Sequence, residues 1–293
     1  MAKQNLLVAV EANEEARHVW QVASRVAKAR SAVPNVLNVV EPAVAVYADL
    51  NFTPLAEQAH DWQKQIMAAN KKFLSENTPC AGQSISVVEG YPAQEIAKAA
   101  DNLDADLIVM GVHNRRGFKK LLGSTTHNVL NATDKDVLAV HPDGKLNGYK
   151  RVIVAADTTD LLDTVLAKAK DYAEGAELVK IVSVLVPLAT VFAAPEAGRS
   201  LDWSFIELAE DIKQETRSKL SSAATEAGFD AHVLELRVGD PRDEVIAAAE
   251  EHDADLIVIG SNNRGPINRF LLGSTARGVL NHTPCDVLVC RRH

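Results

Sequence analysis

The sequence predicts an α/β protein of two tandem domains, each a parallel sheet with helices on both faces. Three observations carry this prediction. Strand-length apolar runs alternate with segments whose apolar residues recur at helical spacing, the pattern of a parallel sheet covered on both sides. Blocks of the first half return about 150 residues later. The length of 293 residues, with 47% hydrophobic and 24% charged content, is enough for two globular cores.

The elements follow in order. Residues 5–10 are a continuous apolar run and read as a strand buried on both faces. Ala16, Val19, Trp20, Ala23, Val26 and Ala27 then recur at helical spacing. A second strand is expected over 36–40, and Ala59, Trp62, Ile66, Ala69 and Phe73 mark a second helix. The third strand and helix are expected over 85–88 and 93–100. The fourth pair covers 107–110 and 124–131, and 137–140 is the last strand. The second half repeats the series from Val152 to Val289. Right-handed crossovers leave few topologies for such a chain.

The repeat sets the domain boundaries. Asp-Ala-Asp-Leu-Ile-Val-Met-Gly at 104–111 returns as Asp-Ala-Asp-Leu-Ile-Val-Ile-Gly at 253–260, an offset of 149. Leu-Leu-Gly-Ser-Thr at 121–125 returns at 271–275, an offset of 150. Gly90 and Pro92 return as Gly239 and Pro241. The one-residue difference in length therefore falls between Gly111 and Gly123. A period this long means whole domains rather than a solenoid. The expected domains are 1–143 and 149–293, joined through the turn-rich stretch 141–148.

Composition removes several function classes. A formal charge of −8 argues against a general nucleic-acid binder, which needs a basic face to displace counterions. It leaves room for a small anion held by local donors. No apolar run approaches the roughly 20 residues of a membrane-spanning helix. Three Cys without a Cys-x-x-Cys give neither a disulfide framework nor a zinc knuckle. With no signal-peptide pattern after Met1, a cytoplasmic protein with reduced thiols is expected.

Open parallel sheets bind ligands beyond the carboxyl ends of their strands. Two loops per domain are therefore candidates. One follows the first strand, at Glu11-Ala12-Asn13 and at Asp157-Thr158-Thr159. The other follows the fourth strand, from Gly111 to Thr125 and from Gly260 to Thr275. The second loop suits a phosphate chain. Its glycines let backbone N–H groups approach closely, and Ser274 or Thr275 would open a helix whose free N–H groups attract an anion. Arg264 and Arg269 would add positive charge, and Asp157 is placed to accept from ribose hydroxyls. The competing reading makes Gly-Ser-Thr a helix cap and the arginines solvated. Walker and Gly-x-Gly-x-x-Gly patterns are absent, as are nucleophile-elbow, zinc-protease and kinase motifs. Catalysis would thus amount at most to slow ATP hydrolysis.

These residues resemble the universal stress protein family, whose pattern is Gly-x2-Gly-x9-Gly-Ser/Thr after strand four with an Asp after strand one. The resemblance covers essentially the whole chain, twice, and points to the tandem two-domain branch. It implies Rossmann-like domains, each a five-stranded parallel sheet in order 3-2-1-4-5. It implies a stress-response role as a sensor or regulator that binds ATP or AMP, with or without Mg2+, none of them essential to the fold. In the second domain the ligand set would be Asp157 and Thr158 at ribose, Val184 at adenine, and Gly260, Asn263, Gly273, Ser274 and Thr275 at phosphate. Asn263 stands where the family has its second Gly, a substitution that left-handed backbone tolerates. The corresponding set in the first domain is Glu11, Val39, Gly111, Asn114, Gly123, Ser124 and Thr125. Only eight residues separate Asn114 from Gly123 there, and Glu11 replaces Asp. The first site is expected to be degenerate and the second occupied.

The family also implies pairing of last strands, here 137–140 with 287–290 in an intrachain pseudo-dimer, and further homodimerisation. Apolar segments at 44–55 and 187–205, with Tyr47, Phe52, Phe192, Trp203 and Phe205, read as lids over the clefts. They also keep open the alternative of a non-nucleotide scaffold or carrier of an apolar, lipid-like ligand. Arg115, Arg116, Lys119 and Lys120 read as a solvated basic face.

Overall fold

The computed structural model describes residues 4–42, 53–79, 85–112, 124–187, 203–261 and 272–292. The chain divides into two compact units, Met1–Leu146 and Asn147–His293.

The first unit runs β1 (Asn5–Ala9), α1 (Glu15–Ala29), β2 (Val33–Val40), α2 (Thr53–Asn77), β3 (Ile85–Glu89), α3 (Pro92–Asn102), β4 (Ala105–Gly111), α4 (Ser124–Ala132) and β5 (Asp136–Val140). Its strands pair in parallel in the order β3-β2-β1-β4-β5. The second unit runs β6 (Arg151–Ala155), α5 (Leu162–Tyr172), β7 (Leu178–Leu185), α6 (Trp203–Glu226), β8 (Leu234–Val238), α7 (Pro241–Glu251), β9 (Leu256–Gly260), α8 (Ser274–His282) and β10 (Asp286–Cys290). It repeats the order as β8-β7-β6-β9-β10, again all parallel. Each unit is thus a five-stranded Rossmann-like sheet in the expected 3-2-1-4-5 order. No described helix is long and apolar enough to cross a membrane.

The central strands β1, β4, β6 and β9 are buried along nearly their whole length, which is why they are continuous apolar runs. Every α1 residue picked out by helical spacing is buried, and Val22 joins them. The repeated sequence blocks also gain local explanations. In Asp-Ala-Asp, the first residue takes a left-handed turn, with φ of 46° at Asp104 and 47° at Asp253. The second aspartate ties strand starts together. Asp106 accepts from the Asn5 N–H at 3.1 Å, and Asp255 accepts from both Lys150 and Arg151 N–H at 3.0 Å. In Gly-x-Pro, the glycine makes room for a glutamate of the next helix. A Cβ at Gly90 would lie 2.5 Å from Glu95 Cγ, and one at Gly239 2.7 Å from Glu244 Oε1. Asp240 caps α7, its Oδ1 accepting from Arg242 N–H at 2.9 Å, with Pro241 at the first helical position.

Helix α2 packs on a face that its apolar spacing does not mark. Ala59, Gln63 and Leu74 are buried, whereas Trp62 is 53% and Ile66 46% exposed. Ala69 is exposed and Phe73 half-buried. The inward face is partly polar. Gln63 donates to the Glu41 carbonyl at 3.1 Å. Asn70 donates at 2.9 Å to Asn38, which itself donates to the Val10 carbonyl at 2.8 Å. A buried amide such as Asn38 needs partners, and turning Asn70 inward supplies one.

The edge strand β8 carries a charge cluster absent from β3. Arg237 engages Glu235 and Glu251, and Glu244 lies 3.6 Å away. Glu235 also meets His252 Nε2 at 3.0 Å. Burial works to raise the Glu235 carboxyl, but hydrogen bonds from His252 and Arg237 outweigh it and hold the group below its ordinary value. The hydrogen bond from Arg237 likewise lowers Glu251. The matching β3 positions are Ser86 and Val88, since Leu37 and Val39 face them as Val182 and Val184 face Glu235 and Arg237.

Candidate functional site

In the second unit, the crossovers leave β6 and β9 toward opposite sides of the sheet. Their carboxyl ends therefore part and leave a crevice. A cavity of about 230 Å³ sits there. Val165 of α5, Val182 and Val184 of β7, Val245 of α7 and Ile259 of β9 form its apolar body. Asp157, Thr159 and Thr275 bring polar groups to it. Asp157 Oδ1 accepts from the Thr159 N–H at 3.2 Å and from the Thr159 hydroxyl. Among the described residues, nothing hydrogen-bonds Asp157 Oδ2. Asp157 is exposed and Thr159 half-buried, so that oxygen is open to a donor.

Four of the residues expected here line the cavity: Asp157, Val184, Gly260 and Thr275. Thr158 and Ser274 are exposed and do not line it, and Gly273 caps α8. The two glycines differ in role. A Cβ at Gly260 would come within 3.0 Å of Val165 Cγ2, so this glycine admits α5 to the sheet. Among the described residues, a Cβ at Gly273 would meet nothing within 4 Å. Asn263, Arg264 and Arg269 lie outside the described residues. Among the described cavity residues, Asp157 is the only titratable side chain.

The first unit has a matching cavity of about 60 Å³. Glu11, Val39, Gly111 and Thr125 line it, and Ser124 is exposed at the first position of α4. Asn114 and Gly123 lie outside the described residues, as do the basic cluster at 115–120 and most of both apolar segments. The two linings correspond position for position and differ in their side chains. Val10 stands where the second cavity has Ala156, Leu37 where it has Val182, and Glu11 where it has Asp157. These three exchanges put more carbon into the first cavity, whereas Ala16 in place of Leu162 takes carbon out of it. Polar groups are also turned on one another there: Asn13 donates to Glu11 Oε2 at 3.2 Å and accepts from the Glu15 N–H at 3.0 Å.

The expected ligand set leaves out Thr159, Val165, Pro241 and Val245, although Thr159 lies in the candidate loop and Pro241 in the repeated Gly-x-Pro. Thr159 was legible as a threonine two residues past an Asp, which favours a side-chain-capped turn. The others come from helices whose approach to the strand ends no motif announces. Arg291 was also passed over. It is buried and donates at 3.1 Å to Ser261, the residue after Gly260.

Comparison with known proteins fits this geometry. The model of the universal stress protein family matches residues 3–141 and again 148–291. A universal stress protein of Methanocaldococcus jannaschii is 30% identical over 147 residues, covering 50% of this chain and 84% of that protein. A universal stress protein structure from Archaeoglobus fulgidus covers 100% of both chains with a TM-score of 0.66 at 22% identity, a likeness of fold. A universal stress protein solved in complex with cAMP is 25% identical, covers 49% of this chain and all of that one, and has a TM-score of 0.32.

Proposed function

The chain belongs to the universal stress protein family, and from that premise we propose that its second domain binds an adenine nucleotide, ATP or AMP. The observation that carries this reading is the cavity at the parting of β6 and β9. It has an apolar body, an open carboxylate oxygen on Asp157, and the start of α8 at Gly273, which no described residue crowds. The apolar body would take the base, with Val184 beside it. The ribose hydroxyls would donate to Asp157. The phosphates would lie at the amino end of α8, where N–H groups and the helix dipole favour an anion. Thr158 and Ser274 flank these positions, and Asn263 and Arg264 belong to the loop that leads to α8.

The role is sensing or regulation rather than rapid turnover. Water activation needs a base held at the reacting phosphate. The one titratable group of the described lining is assigned to ribose. In the first domain, the smaller cavity and the Asn13–Glu11 contact argue against the same ligand. Isothermal titration of the full chain with ATP and AMP tests the proposal. Micromolar binding to one site per chain is expected, and no heat up to millimolar nucleotide would overturn it.

The apolar walls favour a second reading, a carrier of an apolar or lipid-like ligand. Native mass spectrometry of the purified chain separates the two. A co-purified nucleotide mass supports the first, and a lipid-like mass the second.

A further inference from the structure

We propose that the apolar stripe of α2 is a self-association surface, which pairs antiparallel with the same helix of a second copy of the chain. Trp62, Ile66, Ala69 and Phe73 follow one another at steps of four, three and four residues. That is the spacing of a coiled-coil seam over two heptads. A seam of this kind normally packs on its own domain, but here Gln63, Asn70 and Leu74 face inward instead and leave the stripe at the side. In the second domain, the described face of α6 carries the exposed ion pairs Glu215–Lys219 and Glu210–Lys213 and no exposed large apolar side chain. The stripe therefore belongs to one domain and is not a general feature of the repeat.

The occupant follows from the order of residues along the seam. A two-fold axis between Ile66 and Ala69 puts each Ile66 against Ala69 of the second copy, a large side chain against a small one. It puts Trp62 against Phe73 of the second copy, an aromatic pair. At 100° per residue, Asp61, Gln65, Lys72 and Glu76 share one flank of the stripe. The same axis brings Lys72 level with position 63 of the second copy. Asp61 of that copy is two residues away, about 3 Å along the axis at roughly 1.5 Å per residue. Lys72 thus stands between its own Glu76 and Asp61 of the second copy. Both Asp61 and Lys72 are exposed and able to meet. A parallel arrangement offers neither the size match nor this charge match. A seam of four side chains buries less than the roughly 800 Å² per partner of a standard interface, so the dimer is weak, in the micromolar range.

Sedimentation velocity of the full chain from about 5 to 500 μM tests this, with thermal melts as a check on folding. Wild type should pass from monomer toward dimer across this range. Ile66→Asp should weaken dimerisation by about 100-fold, because it puts two charges into the seam. Asp61→Lys should weaken it about fivefold, since two exposed lysine pairs then face one another. Asp61→Lys with Lys72→Asp should restore it to within about twofold of wild type. A wild-type chain that stays monomeric throughout overturns the proposal. So does a dimer that Ile66→Asp leaves intact, or a double variant no stronger than Asp61→Lys alone.

Discussion

The two cavities have the same walls and different contents. Each lies at the parting of the first and fourth strands, and their lining positions correspond one for one, yet one encloses about 230 Å³ and the other about 60 Å³. The strand order and the lining positions are the same in both. Val10 for Ala156, Leu37 for Val182 and Glu11 for Asp157 add carbon to the first, and Ala16 for Leu162 removes it. The comparison teaches that a duplicated fold carries its crevice into both copies, while the volume of each crevice is free to differ with the side chains that line it.

The largest expected effect comes from exchanging those carbons. Ala156→Val with Val182→Leu should close the second cavity and reduce nucleotide affinity by more than about 100-fold, at a cost of no more than about 1–3 kcal/mol in domain stability. Titration calorimetry with a thermal melt checks both halves. Unchanged binding would show that the cavity is not the site. The reverse pair, Val10→Ala with Leu37→Val, should enlarge the first cavity at a loss of about 2–4 kcal/mol in the first domain, measurable by urea unfolding.

Asp157→Ala comes next. Loss of a charged acceptor for ribose should weaken ATP about 10–100-fold. It should leave the melting temperature nearly unchanged, because Asp157 is exposed. The same change at Glu11 should leave nucleotide titration unaltered.

The charge cluster of β8 supplies the third prediction. Arg237→Met leaves Glu235, Glu244 and Glu251 without their shared cation and should destabilise the second domain by about 1–2 kcal/mol, a figure held down by partial exposure. The pH dependence has a definite sign. The folded-state pKa values of Glu235 and Glu251 lie below their ordinary, unfolded values. Their contribution is present above the ordinary carboxylate value of roughly 4.3 and is lost as pH falls through the lower, folded values. Hydrogen exchange at pH 7 and pH 3.5 should show the β8–α7 region losing more protection than β3–α3, and Arg237→Met should narrow that gap. The smallest effect is expected from Thr159→Val. It removes the hydroxyl that holds Asp157 Oδ1 and should weaken nucleotide binding about threefold by titration.

Much of this plan was legible in the residues. Alternating apolar runs announced the strands and helices because burial on both faces of a parallel sheet demands them. The repeated Gly260–Thr275 block marked the loop after the fourth strand. Asp157, Val184, Gly260 and Thr275 do meet at one cavity. The remaining walls, Val165 and Val245 among them, could not be read from a motif. They are ordinary apolar helix residues, and only the angle at which their helices approach brings them to the strand ends. The stripe of α2 was legible as a helix, but its exposure was not.

From residue order alone came everything that depends on periodicity and repetition: two copies, parallel strands, helices on both faces, and the two loops at the carboxyl edge. Such features are local or follow from chain geometry, and one sequence carries them. Which crevice is open and which face of α2 points outward depended on contacts between residues far apart in the chain. Val10, Leu37 and Met110 must converge before a cavity has a volume. Asn38 must find Asn70 before α2 has an inside. Packing volume and the pairing of buried polar groups are properties of the assembled core, and no single segment states them in advance.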